Sequence, residues 1–288
     1  MNKSNVMLRC GSRTLDLSAP ALMGVLNITP DSFSDGGRWI RNGSPDLDSL
    51  LAEATAMVEA GAQILDVGGE STRPGAAPVS LQEELDRVLP VVEALARHCD
   101  AIISVDSSSP EVMLAAAGAG AGLLNDVRAL QREGAVEAAA ALGLPVCLMH
   151  MQGSPATMQS APDYENAVTD VMDFLKARAS ACEAAGISSQ QLLLDPGFGF
   201  GKTLEHNLAL VHGLKQLSSL GYPLLVGVSR KSMLGAMTGK PVAERLAGSL
   251  ALALITLQQG ASILRVHDVV ETADMMRVYQ AVREAEAL

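Results

Sequence analysis

The sequence predicts an α/β protein that folds as a single TIM barrel, and three observations carry this prediction. Eight short apolar runs alternate with longer helical patterns along the 288 residues. The runs lack the polar–apolar alternation of a sheet with one exposed face, so we expect parallel strands that are buried on both faces. Several helical stretches end in glycine, a common C-terminal cap, as in Glu-Ala-Gly-Ala and Gln-Gln-Gly-Ala. An open, doubly wound sheet is the alternative fold.

The elements follow in order from a short N-terminal β-hairpin. Residues 6–17 resemble a small hairpin that turns at Gly-Ser-Arg, so we expect residues 1–18 to form the hairpin and residues 19–288 the barrel. Helical patterns separate the strands, for example at 49–62, 80–98 and 166–186. No linker or shift of composition divides the chain, which predicts one domain over residues 1–288. The barrel strands are predicted at 22–29, 64–69, 101–107, 122–127, 145–150, 192–197, 223–229 and 263–268.

Composition limits the kinds of partner and location. The net charge of -11 argues against non-specific binding to nucleic acid, although a pocket could still hold an anionic small ligand. The four cysteines form no Cys-x-x-Cys pair, which predicts reduced thiols in a cytoplasmic protein. The first residues carry no apolar signal segment, and the most apolar helical stretch, 246–260, is too short for a membrane span. We therefore expect neither a nucleic acid nor a membrane as partner.

The stretch Asp-Pro-Gly-Phe-Gly-Phe-Gly-Lys-Thr at 195–203 is similar to a phosphate-binding loop but differs in spacing. Such a loop needs a glycine, four residues, and then Gly-Lys-Ser/Thr. Counting back from Gly201 places Pro196 where the first glycine should stand. We therefore expect no nucleotide-binding loop here. What remains to be explained is Asp195, an acid at the end of an apolar strand and ahead of a glycine-rich turn.

Every predicted strand ends in polar side chains, and in a TIM barrel these ends converge on the face that carries catalysis. A single Asp after a strand is more often a helix cap or a turn residue, and a single His is more often a satisfied core residue. Charges inside apolar runs, however, cost several kcal/mol unless they pair or meet a ligand. The strand-end residues are Asn27, Asp66, Glu70, Asp106, Asn125, Asp126, His150, Asp195, Ser229, Arg230, Lys231, Arg265 and His267.

The strand-end set has a distinct chemical character. Asp106 and Asp195, with Asn125, offer acceptors and an amide to a flat, nitrogen-rich ring that carries N–H donors. Lys231, Arg265 and His267 offer positive charge to a polyanion. Two long polar loops, at 29–39 and 68–80, follow the first two strands, and loops of this length on a barrel are often lids or binding loops.

Eight motifs resemble the dihydropteroate synthase family, in the right order from residue 22 to the end of the chain. They are GVLNITPDSFSDGG, DVGGESTRPGA, SVDSSSPEV, NDV, MHMQGSPATMQ, DPGFGFGKT, GVSRKSMLG and RVHDV. The resemblance implies a TIM barrel, a homodimer and a cytoplasmic folate-pathway transferase that sulfonamides inhibit. It also implies the condensation of 6-hydroxymethyl-7,8-dihydropterin pyrophosphate with p-aminobenzoate, with Mg²⁺ present and pyrophosphate released.

The resemblance also assigns roles to positions of this sequence. The implied catalytic set is Asp35, Arg73, Lys231, Arg265 and His267. The implied pterin site is Asp106, Asn125, Met149, Asp195, Gly227 and Lys231, and the implied p-aminobenzoate site is Thr72, Arg73, Pro74, Phe200 and Ser232. Pyrophosphate would be held by Asn27, Arg265 and His267, and Mg²⁺ by Asn27. The third motif departs from the usual Asp-Thr-Ser-Lys-Pro, because Ser107 and Ser109 replace the Thr and the Lys. We expect a local electrostatic change there.

Three alternatives remain at this point. A pterin-binding methyltransferase module has a related barrel, but methyl transfer has no use for a pyrophosphate site. A Schiff-base aldolase could use Lys231 with its pKa lowered by Arg230, yet it needs no anion and metal cluster of Asn27, Arg265 and His267. A catalytically silent paralogue is the third, and no site position is lost that would support it.

Overall fold

The computed structural model describes residues 6–29, 39–41, 44–72 and 76–285. Within these residues a two-stranded hairpin precedes an eight-stranded barrel, and a second, very short antiparallel pair follows the first barrel strand. Helices connect the barrel strands. The strands are β1 (Met7–Cys10), β2 (Arg13–Asp16), β3 (Ala21–Asn27), β4 (Ile40–Arg41), β5 (Ser44–Pro45), β6 (Ile64–Gly68), β7 (Ile102–Asp106), β8 (Leu123–Asp126), β9 (Val146–Met149), β10 (Leu192–Asp195), β11 (Leu225–Val226) and β12 (Ile263–Val266).

The eight barrel strands are parallel and form one nearly closed sheet. Their spatial order is β10–β9–β8–β7–β6–β3–β12–β11. A parallel bridge joins Leu194 to Leu224, and the Leu194 N–H donates to the Pro223 carbonyl over 3.0 Å, which brings the two ends of the sheet together. The predicted TIM barrel is thus confirmed, and the open sheet is excluded.

Amphipathic helices cover the barrel from outside. On α2 the fully buried Val88, Val91, Val92 and Leu95 follow the i, i+3, i+4, i+7 spacing of a helix face that packs on a core. Ser80 begins this helix with a capping box. The helices are α1 (Leu47–Ala60), α2 (Leu81–His98), α3 (Pro110–Ala119), α4 (Ala135–Leu142), α5 (Ala167–Ala184), α6 (Leu204–Ser218), α7 (Ser232–Thr238), α8 (Leu246–Gln258) and α9 (Val269–Ala285).

Glycines end the helices as the sequence predicts. Gly61, Gly186 and Gly260 all have positive φ angles, at 119°, 95° and 109° respectively. This left-handed backbone turns the chain out of the helix, and glycine adopts it without the steric cost that a Cβ would bring. None of the described helices combines the length and apolar character needed to cross a membrane.

The hairpin closes the bottom of the barrel. Its inward side chains Leu8, Cys10 and Leu15 pack with the first residues of the barrel strands, among them Met23 and Ile64, in a buried cluster separate from the main core. Arg13 forms an ion pair with Asp100, and it also donates to the Cys99 carbonyl over 3.2 Å. The opposite end of the barrel, formed by the carboxyl ends of the strands, is not covered by the hairpin.

Two details differ from the predicted elements. The seventh barrel strand is predicted at 223–229, but β11 covers only Leu225–Val226. Beyond it the chain leaves the sheet, Gly227 and Ser229 line a cavity, and Arg230 has a left-handed φ of 56°. The pair β4–β5 was not predicted, because two residues on each strand give no readable alternation. All four cysteines are free and buried, as expected from their spacing.

Candidate active site

The strand ends enclose a cavity of about 560 Å³ on the face opposite the hairpin. All of the predicted site residues that the structure describes line this cavity. They are Asn27, Thr72, Asp106, Asn125, Met149, Asp195, Phe200, Gly227, Lys231, Ser232, Arg265 and His267. The other three predicted site residues, Asp35, Arg73 and Pro74, lie outside the described residues. Most of the strand-end residues thus meet at one cavity, as the barrel rule predicts, but Asp66, Asp126 and His150 do not line it.

Arg265 links the buried Asp66 to the partly buried Asp106 across the floor of the cavity. Its Nε donates to Asp66 Oδ2 over 2.7 Å, and one of its terminal nitrogens donates to Asp106 Oδ2 over 2.8 Å. Asn125 donates its amide N–H to the same Asp66 oxygen over 3.1 Å. The β12, β6, β7 and β8 strand ends thus share one hydrogen-bond network. Asp66 is fully buried, so its role is to hold Arg265 and Asn125 rather than to meet a ligand.

Burial and neighbouring charges set the pKa values of Asp106 and Arg265 on the cavity floor. Burial raises the pKa of Asp106, Arg265 lowers it, and Asp66 raises it again, which leaves the pKa above its usual value. For Arg265, burial lowers the pKa, but Asp66 and Asp106 together outweigh that effect and raise it. Arg265 is therefore a permanent cation, whereas Asp106 is an acid that a suitable N–H donor or cation would keep ionised.

Asp195 ends β10 and begins the glycine-rich turn. Its Oδ1 accepts a hydrogen bond from the Gly197 N–H over 2.7 Å, which holds the carboxyl against the turn. Burial raises the pKa of Asp195, while the Gly197 N–H and Lys231 lower it in part. Gly197 has a φ of 69°, and a Cβ there would overlap the His150 carbonyl oxygen. Only glycine fits at this point, so the turn and Asp195 are positioned together.

Phe200 and Lys231 form one wall of the cavity. The Lys231 Nζ lies 4.2 Å from the centre of the Phe200 ring, within cation–π range. Gly199 leaves room for the lysine, since a Cβ there would stand 3.2 Å from Lys231 Cδ. The wall therefore offers an aromatic face and a cation side by side, which suits a ligand with an aromatic ring and an anionic group.

The segment around Lys231 is held by two arginines. Arg230 forms a bidentate ion pair with Asp268, with Nε at 3.0 Å from Oδ2. Arg245 donates to the carbonyls of Arg230 and Lys231 over 3.1 and 3.4 Å. His267 is turned by Ser229, whose Oγ lies 3.1 Å from His267 Nδ1. These contacts keep the backbone that carries Lys231 and His267 in its bent course at the cavity mouth.

A second ion network borders the cavity near the altered third motif. Arg128 makes a bidentate pair with Glu70 at 2.9 and 3.0 Å. Arg132 donates to Ser109 Oγ over 2.7 Å, so a positive charge lies beside Ser109 although residue 109 itself carries none. This positive charge belongs to Arg132, in the loop that precedes α4.

A metal at this site would rely on amide and phosphate oxygens. Asn27 Oδ1 and Asp106 Oδ2 lie 3.6 and 3.7 Å from the position that a Cβ at Gly68 would take, so both face the space over that glycine. No group of three or more His, Cys, Asp or Glu side chains in the described part of the chain could hold a metal. Mg²⁺ commonly uses one or two protein oxygens together with substrate phosphates, and the donors here fit that pattern.

Two buried charges had no predicted role. Asp66 stood among the strand-end residues, and its place inside an apolar run is the same signal that identified Asp106. Lys202, the lysine of the glycine-rich motif, is only 3 % exposed and lies under the turn. A lysine that follows a glycine turn gives no sign in the sequence that it is buried. His150 is a satisfied buried residue, which agrees with the structural interpretation of a single His.

The whole chain is similar to a known protein family, to named relatives and to solved structures. Residues 23–267 match the family described as pterin binding enzyme. A protein named dihydropteroate synthase from Haemophilus influenzae is 54% identical over 278 residues, covering 96% of this chain and 99% of its own length. The Yersinia pestis dihydropteroate synthase, solved with a sulfonamide drug complex, is 54% identical with a TM-score of 0.93 and covers 96% of this chain and 99% of its own.

A third relative was solved with a bound small molecule. The Xanthomonas albilineans dihydropteroate synthase in complex with 7,8-dihydropteroate is 45% identical, with a TM-score of 0.86, and covers 96% of this chain and 98% of its own. The chain belongs to the family of pterin-binding enzymes. Within that family it belongs with the dihydropteroate synthases. The methyltransferase module, which would also fit the broader family, has no such support.

Proposed function

We propose that this protein condenses 6-hydroxymethyl-7,8-dihydropterin pyrophosphate with p-aminobenzoate to give 7,8-dihydropteroate and pyrophosphate. The observation that carries the proposal is the floor of the cavity, where the buried Asp195 and the partly buried Asp106 stand with Asn125 beside one fixed cation, Arg265. A flat ring with several N–H donors matches these acceptors, and a diphosphate matches the cation. The relatives named dihydropteroate synthase support the same reaction.

The pterin ring would lie on the floor. Asp195 and Asp106 would accept its N–H groups, and Asn125 would add an amide that both donates and accepts. Met149, at the end of β9, and Gly227 line the same part of the cavity and leave an apolar, flat space for the ring. A ligand that donates to both buried acids would stabilise their ionised forms, which burial alone disfavours.

The pyrophosphate group would lie near Asn27, Arg265 and His267. Arg265 is held by Asp66 and Asp106, and His267 is held by Ser229, so both can meet the anion in fixed positions. We propose that Asn27 would help to hold Mg²⁺, which would supply positive charge to the departing group. Arg265 would stabilise the same developing charge from the protein side.

The chemistry we propose is a displacement at the exocyclic carbon of the pterin. The carbon–oxygen bond breaks first, its electron pair leaves with pyrophosphate, and the electron-rich pterin stabilises the resulting cation. The amine nitrogen of p-aminobenzoate then forms the new bond with its lone pair and releases a proton. Phe200, Lys231 and Ser232 would hold the arylamine and its carboxylate. A neutral aniline needs no strong base, so Lys231 acts as a charge rather than as an aldolase nucleophile.

Two further proposals concern the protein as a whole. Exposed apolar side chains on the last two helices support a homodimer, with Val278 and Val282 one turn apart on α9 and Ile255 exposed on α8. Analytical ultracentrifugation should show a dimer that Val278→Glu with Val282→Glu converts to monomer. The free, buried cysteines support a cytoplasmic location, which cell fractionation would test.

Steady-state turnover tests the proposed reaction. Purified protein with both substrates and Mg²⁺ should form dihydropteroate, and chelation of the metal should stop it. Asp195→Asn should lower kcat/KM for the pterin substrate by about 100-fold, because a buried acceptor of ring N–H groups is lost. Asp173→Asn, on the exposed face of α5, is the matched control and should change nothing. A protein that forms no dihydropteroate would contradict the proposal.

A further inference from the structure

Lys202 is a buried lysine beneath the turn that connects β10 to α6. Its Nζ lies 2.9 Å from His150 Nδ1, 2.9 Å from the Gly197 carbonyl and 2.9 Å from the Phe200 carbonyl. The His150 carbonyl is farther away, at 3.3 Å. The side chain does not line the cavity, so Lys202 cannot contact a ligand there. Two of these four acceptors belong to His150, which directly follows β9. The other two are the carbonyls of Gly197 and Phe200 in the turn itself.

The number of hydrogens on Lys202 matches the number of close acceptors. An ammonium group has three hydrogens, and His150 Nδ1 and the carbonyls of Gly197 and Phe200 accept one each. When Lys202 is an ammonium, His150 accepts at Nδ1 and carries its proton on Nε2. Burial, together with the charge of Lys202, lowers the pKa of His150 to about 3, which keeps the ring neutral and Nδ1 free to accept.

Burial also opposes the charge on Lys202. Burial lowers the pKa of Lys202, Asp195 raises it in part, and Lys231 lowers it further, which together leave the pKa at about 7. A lysine is expensive to bury, and its ammonium would be better solvated at the surface. Its three short hydrogen bonds offset the cost of burying the ammonium. They restrain His150, Gly197 and Phe200.

Other side chains restrain the middle of the turn. Gln159 donates to the Gly199 carbonyl over 2.8 Å, and Tyr164 donates to the Gly201 carbonyl over 2.7 Å. Lys202 holds the carbonyls of Gly197 and Phe200 at the same time. Phe200 is the residue of the turn whose ring lies under Lys231, so the position of its backbone sets where the ring meets Lys231.

We propose that Lys202 is a positioning residue for the arylamine substrate. It holds the turn so that Phe200, and Lys231 above its ring, stand where p-aminobenzoate binds. The inference rests on the proposed function and extends it, since it assigns a part of the specificity to a residue that touches no substrate. Lys202 holds the turn through the carbonyls of both Gly197 and Phe200. Asp195 is also fixed by the pairing of β10 with β9, whereas Phe200 lies outside any strand. The arylamine half of the site should therefore depend on Lys202 more than the pterin half.

The test is a comparison of the two KM values in Lys202→Met, which keeps most of the length of the side chain and removes its donors. The KM for p-aminobenzoate should rise by about tenfold or more, while the KM for the pterin substrate stays within about twofold. Lys215→Met, on the exposed face of α6, is the matched control and should leave both unchanged. Equal rises in both KM values, or no change, would overturn the proposal.

A double-variant cycle separates positioning from general destabilisation. If Lys202 acts through Phe200, adding Lys202→Met to Phe200→Ala should raise the p-aminobenzoate KM no further than Phe200→Ala alone. Independent, multiplicative losses would overturn the inference. If Lys202→Met does not fold, Lys202→Gln, which keeps an amide donor, carries the same comparison. A wild-type protein without turnover would instead refute the proposed function, because it contains Lys202 unchanged.

Discussion

Asp66 shows how one residue can control a site without meeting a ligand. Its carboxyl is fully buried, and Oδ2 accepts from both Arg265 and Asn125. Its Oδ1 has no hydrogen-bond partner among the described residues. The pairing with Arg265 stabilises the buried charge of Asp66. The same contact fixes the direction of the Arg265 guanidinium. The direction of Arg265 therefore depends on a side chain that lies behind the cavity surface.

Asp66→Asn should weaken the reaction while leaving the fold recognisable. The amide keeps the shape of the carboxyl but removes the charge that orients Arg265. We expect kcat/KM for the pterin substrate to fall by at least about tenfold. Asp274→Asn, which breaks an exposed ion pair with Arg277, is the control and should have no effect. Unchanged kinetics in Asp66→Asn would show that Arg265 is positioned by other contacts.

Pterin affinity should fall on acidification, and the loss should begin at a higher pH than an ordinary aspartate would cause. Burial raises the pKa values of Asp106 and Asp195, so both take up protons earlier as the pH falls. A protonated carboxyl has less capacity to accept ring N–H groups. Calorimetric titration between about pH 8 and about pH 5 should show the decline well above the usual Asp pKa of about 4. Affinity independent of pH over this range would contradict the assignment.

At the scale of elements, the turn after β10 joins the two halves of the site. It carries Asp195 at its start and Phe200 near its end, and it packs directly on the last residues of β9. The glycines make this packing possible, because a Cβ at Gly197 or Gly201 would overlap the carbonyls of His150 and Gln152. The turn therefore acts as a fixed connection between the proposed pterin and arylamine subsites rather than as a flexible loop.

Gly197→Ala should destabilise the protein more than an alanine at an open left-handed glycine. Its φ of 69° strains any other residue, and the new Cβ also displaces the His150 carbonyl. We expect the free energy of unfolding to fall by more than about 2 kcal/mol. Gly186→Ala, with a φ of 95° and open space around it, should cost about 1 kcal/mol. Equal losses from denaturant unfolding of the two variants would contradict the close packing of the turn.

For the whole molecule, the hairpin and the active site lie at opposite ends of one barrel. The hairpin contributes Leu8 and Leu15 to a cluster with the strand starts, while the polar strand ends form the cavity. Stability and chemistry are thereby placed on different faces, as is usual for this fold. A change in the hairpin should therefore alter unfolding without altering binding.

Leu8→Ala should test this separation. Leu8 is fully buried, and its truncation leaves a cavity under the barrel, so the free energy of unfolding should fall by about 2–5 kcal/mol. Both KM values at moderate temperature should match those of the wild type. Met7→Ala, whose side chain is half exposed, should lose far less stability. A changed KM in Leu8→Ala would mean that the two faces are coupled.

The sequence predicted the barrel and most of the residues that line the cavity. It did not predict which charged side chains pair with one another. Regular alternation of strands and helices identified the fold, and charges in apolar runs identified Asp106, Asp195 and Arg265. The partners of Arg265 were not readable, because Asp66 stands 199 residues away along the chain. The burial of Lys202 was equally hidden, since it depends on a contact with His150 across 52 residues. Long-range contacts of this kind arise only when the barrel closes.

The most direct test of the account is a single turnover with enzyme in excess over pterin pyrophosphate. Dihydropteroate and pyrophosphate should form in equal amounts when p-aminobenzoate and Mg²⁺ are present. Asp106→Asn with unchanged folding should form neither at a comparable rate. Pyrophosphate without dihydropteroate in the complete mixture would mean that the site activates the pterin but does not join it to the arylamine. No product from the wild-type protein would contradict the account as a whole.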